Sequence, residues 1–282
     1  MLISVKIFAN VDYIYYICIM KTENIFNKEV KKRTNIKYNH NDDYFNEINT
    51  SKKAYILGFI IADGSINRTI RGNCITNRLT FCNSIDDSSI IEEIKNEISP
   101  ESIVYIRNCQ LGVKIRKPQC ILKITSYKLC EDLINKYNIH PRKTHHSDFK
   151  FDFNLIPNEF HRDFIRGFFD GDGGISFYKT KKTIFFNFSF IFNSKIFAEQ
   201  ICNIFENLFN IKAVYYEHIG KTCTYYNIRF NYYQKRTQII KQIYHYLYNN
   251  NDLCLERKRI KFDKYFEYRA KTTDNTVGQC NA

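Results

Sequence analysis

The stretch ILGFIIADG at residues 56–64 has a near-copy, IRGFFDGDG, at residues 165–173. In each stretch the apolar residues follow helical spacing, and two small residues lie four positions apart. The small residues are Gly58 and Ala62 in the first stretch and Gly167 and Gly171 in the second. Small residues at positions i and i+4 let two helices approach until their backbones nearly touch. The pattern therefore predicts two crossed helices that meet at these four positions.

Both predicted helices end at an Asp-Gly pair, and the two acids, Asp63 and Asp172, lie 109 positions apart. Crossed helices would bring these carboxylates together, where they repel each other and also meet the partial negative charge of the helix ends. A divalent cation relieves this repulsion. Mg²⁺ typically takes one or two protein carboxylates and fills its other positions with water and phosphate. The pair therefore predicts a metal site for phosphodiester hydrolysis.

A Gly-Asp-Gly sequence after an apolar helix is also typical of a plain helix end followed by a turn, because glycine adopts positive φ cheaply. Two copies at half-chain spacing favour a duplicated functional unit instead. An EF-hand calcium loop starting at Asp170 is excluded, because its sixth position is Ile175 and not glycine.

At these residues the sequence resembles the LAGLIDADG homing endonuclease family, in the form in which one chain carries both motif copies. The copies span residues 54–64 and 164–175, and the resemblance extends from about residue 44 to residue 268. The earlier acidic position of the motif is Ile61 in the first copy and Asp170 in the second. The resemblance implies two pseudo-symmetric αββαββα halves, with the two motif helices at the centre and two saddle-shaped antiparallel sheets over DNA.

The resemblance also implies a monomeric enzyme that hydrolyses both strands of double-stranded DNA at a long, nonpalindromic site. Asp63 and Asp172 would be its catalytic, metal-binding residues. The metal site would also include Gly64 and Gly173. The implied cofactor is Mg²⁺ or another divalent cation such as Mn²⁺.

The family often keeps a basic residue on the last strand of each half, and here the resemblance points to Lys123 and Arg229. Arginine cannot act as a base at neutral pH, so Arg229 would serve as an electrostatic clamp. Solvent-facing polar residues on the strands are candidates for DNA contact. The basic residues chosen for this role are Arg68, Arg71, Arg78, Lys181 and Lys182.

Patterning along the chain predicts an α+β fold, because the strands alternate with helices yet are joined pairwise by short turns, which indicates antiparallel sheets. The predicted first-half elements are helices at 52–63, 86–98 and 126–137 and strands at 66–70, 74–82, 103–107 and 120–124. The second-half elements are helices at 162–172, 194–209 and 233–248 and strands at 175–178, 184–191, 213–218 and 224–230. The predicted units are an N-terminal extension and linker (1–50), a first half (51–140), a connector (141–160), a second half (161–268) and a tail (269–282).

Composition is consistent with a globular protein that binds a polyanion. The 282 residues are 44% hydrophobic, and 42 Lys and Arg against 29 Asp and Glu give a net charge of +13. The abundance of Lys, Asn, Ile, Tyr and Phe is also typical of A/T-rich codon usage, which accounts for part of the basicity. The ten cysteines lack Cys-x-x-Cys spacing, which favours reduced, mostly buried thiols.

Residues 1–20 are apolar but are interrupted by Lys6, Asn10 and Asp12, and no cleavage site follows. We therefore expect neither a signal peptide nor a membrane span, and the compartment stays open. Two alternative functions remain. One is a maturase that binds its host intron RNA, and the other is a DNA-binding relative that does not cut. A restriction-type site at Glu93-Ile94-Lys95 is not favoured, because those residues lie on a predicted amphipathic helix.

Overall fold

The computed structural model of the protein describes residues 31–32, 38–72, 74–111, 114–143, 146–179, 184–220, 223–232, 237–249 and 253–277. The interpretation of residues 1–20 and most of the predicted linker lie outside the described residues. So do Lys181 and Lys182.

The first half begins with the two-residue strand β1 (Lys31–Lys32). It continues with α1 (Ser51–Asp63), β2 (Gly64–Arg71), β3 (Cys74–Ser84), α2 (Ser88–Ile98), β4 (Tyr105–Leu111), β5 (Lys114–Thr125) and α3 (Tyr127–Asn135). Hydroxyl side chains cap two of these helices. The side chain of Thr50 accepts a hydrogen bond from the backbone N–H of Lys53, and that of Ser126 accepts one from Leu129.

The second half repeats the order. It comprises α4 (His161–Asp172), β6 (Gly173–Lys179), β7 (Ile184–Phe192), α5 (Lys195–Phe209), β8 (Val214–Ile219), β9 (Thr224–Tyr232) and α6 (Thr237–Tyr248). A further helix, α7 (Glu256–Val277), follows. The predicted α+β class and the αββαββα order of each half are confirmed, and α7 is an addition to that order.

Both sheets are built on the same pairing scheme. The first has the order β2-β3-β5-β4, with β1 added in parallel at the start of β3, and the second has the order β6-β7-β9-β8. All other pairings are antiparallel. The registers correspond as well, because Gly64 pairs with Phe81 where Gly173 pairs with Phe190. Positions in one half can therefore be matched to positions in the other.

The motif helices α1 and α4 lie between the sheets, and one face of each sheet packs on the helices. Burial alternates along β3 and β7 with period two, so the other face of each sheet points to solvent. Stacked aromatic rings join the layers. The ring centroids of Phe59 and Phe81 lie 6.2 Å apart, and those of Phe169 and Phe188 lie 4.6 Å apart.

The packed body is larger than the two predicted halves. Tyr44, Phe45 and Ile48 precede α1 and are buried, so part of the predicted N-terminal extension belongs to the first core. At the other end α7 continues through residue 277, beyond the predicted end of the second half, and buries Phe262 and Tyr265. Among the described residues, no helix combines the length and apolar character needed to cross a membrane.

Candidate active site at the helix crossing

The two motif helices touch through their backbones. An ideal Cβ added to Gly58 would lie 2.0 Å from the carbonyl oxygen of Phe164, and one added to Gly167 would lie 1.9 Å from that of Tyr55. A Cβ on Gly171 would lie 2.2 Å from the Cβ of Ala62. Any side chain larger than hydrogen at the glycine positions would therefore force the helices apart. The four small residues of the motifs lie at this crossing.

Asp63 and Asp172 are the last residues of α1 and α4, so the crossing sets their positions. Both are half-buried. Burial raises the pKa of both carboxyl groups, and the pKa of Asp172 reaches about 6 with a contribution from repulsion by Asp63. The structure thus brings the two acids within electrostatic range of each other. Their charge is incompletely compensated by the protein.

Asp63 has a hydrogen-bond donor that sequence reasoning missed. Asn83, near the end of β3, donates from Nδ2 to Oδ2 of Asp63 over 2.7 Å. This bond fixes the rotamer of the Asp63 carboxylate and opposes the effect of burial on its pKa. The amide oxygen Oδ1 of Asn83 is buried and has no hydrogen-bond partner among the described residues.

A lysine that was not predicted lies beside the two acids. Lys143, which lies between α3 and α4, donates from Nζ to the carbonyl oxygens of Ile60 (2.9 Å), Ile61 (2.6 Å) and Ala62. It therefore caps the C-terminal end of α1, where the helix dipole favours a cation. Burial lowers the pKa of Lys143 to about 8, and the nearby carboxylates of Asp172 and Asp63 partly oppose that effect.

Lys258 does the same for α4. Its Nζ donates to the carbonyl oxygens of Phe169 (2.6 Å), Gly171 (3.2 Å) and Gly173 (2.7 Å). The side chain is buried, and burial lowers its pKa to about 8 although Asp170, Asp63 and Asp172 raise it. Each motif helix thus ends in an aspartate, and a lysine from another segment binds the carbonyl oxygens at that end. The two halves supply matching sets.

The sequence carries one signal for these lysines. Each is the second residue of an Arg-Lys pair, Arg142-Lys143 and Arg257-Lys258, and each pair follows the last αββαββα helix of its half. The pairs lie 115 positions apart, close to the spacing of the two motifs. A search for dipeptides repeated at about half the chain length would have found them, whereas composition and periodicity do not.

The second motif carries an additional acid, Asp170, which is completely buried. Its carboxylate accepts hydrogen bonds from Tyr55 Oη (2.8 Å), Tyr248 Oη (2.7 Å) and the backbone N–H of Leu255 (2.7 Å). All of these partners are protein groups, so Asp170 joins α1, the end of α6 and the start of α7. The matching residue in the first motif, Ile61, is an apolar core residue.

The donor set fits a divalent cation. Asp63 and Asp172 offer carboxylate oxygens, while no group of three or more His, Cys, Asp or Glu side chains suited to a metal occurs among the described residues. Such a two-carboxylate set suits a cation that completes its shell with water and phosphate. The carbonyl oxygen of Gly173 accepts from Lys258, and the N–H of Gly64 donates to Ile60. These contacts place both motif glycines at the helix ends next to the acids.

The two strand residues, Lys123 and Arg229, occupy matching positions. Lys123 pairs with Thr80 and Arg229 pairs with Ser189, on the solvent-facing side of each sheet. Thr80 and Ser189 are each the residue before the one that pairs with the motif glycine. Lys123 is exposed. The guanidinium of Arg229 lies 4.8 Å from the centre of the Tyr216 ring. Among the described residues, no hydrogen bond or ion pair joins either one to the two motif aspartates.

The remaining candidates for DNA contact lie on different faces of the first sheet. Arg78 is on the solvent-facing side of β3, where its Nε donates to Thr125 Oγ1 over 3.1 Å, and Arg71 is exposed at the end of β2. Arg68 is on the opposite, helix-facing side. Its guanidinium donates to Asn77 and forms an ion pair with Glu131 of α3.

Comparisons with solved structures give weak similarities. They include I-DmoI in complex with DNA and Mn (17% identity, 75% of this chain and 100% of that chain, TM-score 0.43) and the I-LtrWI LAGLIDADG homing endonuclease bound to target DNA (14%, 82% and 92%, TM-score 0.46). LAGLIDADG meganuclease I-AabMI bound to uncleaved DNA is another (11%, 79% and 91%, TM-score 0.47). At TM-scores below 0.5, none of them defines the fold of this chain.

A comparison with curated protein sequences finds no match. A family model does match, over residues 159–257, and it describes a LAGLIDADG-like domain. The matched range contains the second motif, Asp172, Arg229 and the Arg257 that precedes Lys258. The resemblance to the LAGLIDADG family is therefore confirmed over residues 159–257, which match the model of a LAGLIDADG-like domain.

Proposed function

We propose that this chain is a site-specific, metal-dependent endonuclease that cuts both strands of double-stranded DNA. The observation that carries the proposal is the matching arrangement at the helix crossing, where Lys143 caps the helix that ends at Asp63 and Lys258 caps the helix that ends at Asp172. Each lysine is also within electrostatic range of both aspartates. Because one chain supplies both sets, one copy of the protein is sufficient for both cuts, and we propose that it acts as a monomer.

Asp63 and Asp172 would hold the metal, which we propose is Mg²⁺, with Mn²⁺ as a substitute. When bound, the cation would activate water and neutralise charge on the phosphate that is cut. The surroundings of the two carboxyl groups favour binding of a cation. Burial raises the pKa of both carboxyl groups, and repulsion by Asp63 adds to this effect for Asp172, so a bound cation would stabilise the charged forms of both groups.

The two lysines stabilise the ends of the motif helices. Their ammonium groups hold the carbonyl oxygens at the ends of α1 and α4, which fixes the aspartates that follow those carbonyls. Each lysine uses its N–H groups for three carbonyl oxygens, and burial lowers its pKa to about 8, so the capping charge is complete only below that pH. Asn83 holds Oδ2 of Asp63 and leaves the other carboxylate oxygen for the metal.

The solvent-facing sides of the two sheets form the proposed DNA-binding surface, and the net charge of +13 suits it. The two surfaces differ in chemistry. Thr80 and Lys123 of the first surface match Ser189 and Arg229 of the second. Arg78, however, matches Asn187, and the second surface also carries the stacked pair Tyr178 and Phe185, whose ring centroids lie 5.0 Å apart. Unequal reading surfaces favour a nonpalindromic target, because the symmetry of a site mirrors that of its reader.

The proposal is tested with a library of randomised DNA duplexes incubated with the protein and Mg²⁺, followed by sequencing of the cut ends. We expect one family of long sites. Asp63→Asn and Asp172→Asn should each slow cleavage of that site at least about 10³-fold while binding stays within a few fold. Asp43→Asn is the control, because Asp43 is exposed and pairs with Lys128 away from the crossing.

Three outcomes would contradict the proposal or its catalytic assignment. Binding of one DNA site without any cut in Mg²⁺ or Mn²⁺ would identify a non-cutting DNA-binding relative. Selective binding of a structured intron RNA without DNA cleavage would identify a maturase. Cleavage by Asp63→Asn at the wild-type rate would show that the catalytic assignment is wrong.

A further inference from the structure

An ion pair joins the start of α7 to the opposite half of the molecule. Arg257 donates from Nε to Oδ1 of Asp87 over 2.6 Å and from Nη2 to Oδ2 over 3.0 Å. The two residues are 170 positions apart in sequence. This two-point geometry fixes the direction of the guanidinium as well as its distance. Asp87 is buried, so the pair is shielded from solvent on that side.

Asp87 does not use its carboxylate for its own helix. It occupies the N-cap position of α2, where an aspartate usually accepts a hydrogen bond from the first turn, yet its side chain makes no capping bond. The N-cap of the matching helix α5, Ser194, does cap it by accepting from the N–H of Phe197. Both carboxylate oxygens of Asp87 are therefore directed to Arg257.

Arg257 immediately precedes Lys258, in the first turn of α7. A helix turn is rigid once formed, so an anchor on Arg257 also restrains the backbone of Lys258. Lys258 reaches three carbonyl oxygens at the end of α4, a geometry that tolerates little movement of its own backbone. Asp87 of the first half thus holds Arg257, which is the residue next to Lys258 of the second half.

The matching residue in the first half has no such anchor. Arg142, which precedes Lys143, is exposed and has a positive φ of 59°. Its side chain forms no ion pair or hydrogen bond with any residue that the structure describes. Lys143 is therefore held without help from its neighbour. The anchor is a property of one half alone.

We propose that the Asp87–Arg257 ion pair positions Lys258, so that the chemistry at the second-half end of the site depends on a residue of the first half. This inference rests on the proposed nuclease function. In that setting Asp87 and Arg257 are positioning residues that act through Lys258. Both residues also lie within electrostatic range of Asp63, so the Lys258-dependent cut should respond much more strongly than the other cut.

The test measures the two cuts separately. A duplex that contains the selected target carries a different fluorophore on each strand, and the cleavage rate of each strand is measured in a single turnover with saturating enzyme and Mg²⁺. The variants are Asp87→Asn and Arg257→Gln, with Arg142→Gln as the matched control from the first half. Lys258→Met identifies the strand whose cut depends on Lys258. DNA affinity and thermal unfolding are measured for every variant.

We expect Asp87→Asn and Arg257→Gln to slow the Lys258-dependent cut by about 10- to 100-fold, because a small displacement of a catalytic group is costly. The other cut and the DNA affinity should stay within about twofold, and Arg142→Gln should leave both cuts within about twofold. In the Lys258→Met background, Asp87→Asn should add no more than about a twofold loss, since the two changes act on one group.

Equal slowing of both cuts would overturn the inference, as would slowing of the strand that does not depend on Lys258, or an additive loss in the Lys258→Met background. If Asp87→Asn does not fold, Arg257→Gln and the conservative Arg257→Lys carry the test, with Arg257→Lys expected to retain part of the rate. If the proposed function itself fails, the wild-type protein leaves both labelled strands uncut, which is a different result from any of these.

Discussion

The two halves share one architecture but support their motif helices differently. Each motif helix ends in an aspartate whose neighbouring carbonyls are held by a lysine, Lys143 or Lys258. Around that shared unit the partners diverge. Asn83 bonds Asp63, whereas the matching residue on β7, Phe192, is a buried apolar residue. The duplicated unit therefore contains the groups that carry the chemistry, and the surroundings of the two copies differ.

The largest expected effect tests what the halves share. Gly58→Ala and Gly167→Ala should each cost more than about 4 kcal/mol of unfolding free energy, because the added Cβ would overlap a backbone carbonyl that cannot rotate away. Urea denaturation measures the loss. Gly174→Ala is the control, since its Cβ would meet only the Ser189 hydroxyl, which can move. Wild-type stability in either crossing variant would contradict the backbone contact.

A second comparison concerns the earlier acidic position of the motifs. Asp170→Asn should cost about 2 to 4 kcal/mol, because the new amide group faces three hydrogen-bond donors in a dry environment. At the matching position, Ile61→Val should cost about 1 kcal/mol, the usual loss of one buried methylene group. Both values come from urea denaturation. Equal losses would show that Asp170 is no more integrated into the core than Ile61.

The unequal support of the aspartates gives a third test. Asn83→Ala should slow one of the two cuts by about tenfold, because the Asp63 carboxylate loses the donor that fixes its rotamer. Phe192→Leu, at the matching position of the second half, should leave the ratio of the two cuts unchanged. Strand-specific cleavage in a single turnover measures both. Equal slowing of both cuts by Asn83→Ala would mean that the bond serves the fold in general.

The smallest expected effect separates the two faces of the sheets. Lys123→Ala and Arg229→Ala should weaken DNA binding and reduce the slope of log affinity against log salt by about 1 each. Arg68→Ala should leave that slope unchanged, because Arg68 lies on the helix-facing side and pairs with Glu131. Fluorescence anisotropy at several salt concentrations measures the slopes. A reduced slope for Arg68→Ala would place it among the phosphate contacts.

Much of the fold follows from local sequence. The predicted strand at 184–191 and the helix at 194–209 match β7 and α5 within one residue at each end, since alternating phenylalanines and a serine cap are local signals. Helix α7 was missed because its first turns are dense in charge. Its apolar face, which includes Phe262 and Tyr265, becomes evident only where it packs on the second sheet.

The site residues likewise fall into two groups, those that the local sequence indicates and those that only the fold reveals. The motifs indicate Asp63 and Asp172 through glycine spacing and helix ends, which are local features. Lys143 reaches carbonyls more than 80 positions away, so only the folded chain reveals its partners. The helix-facing position of Arg68 likewise depends on strand register, and a shift of one residue would reverse it.

The backbone contact between α1 and α4 has a consequence for the product. No side chain separates the helices at Gly58 and Gly167, so the distance between the two helices cannot change by side-chain rearrangement. If both strands are cut at this crossing, the offset between the two breaks is set by the protein. Every accepted target should then yield ends of one length, whatever its sequence.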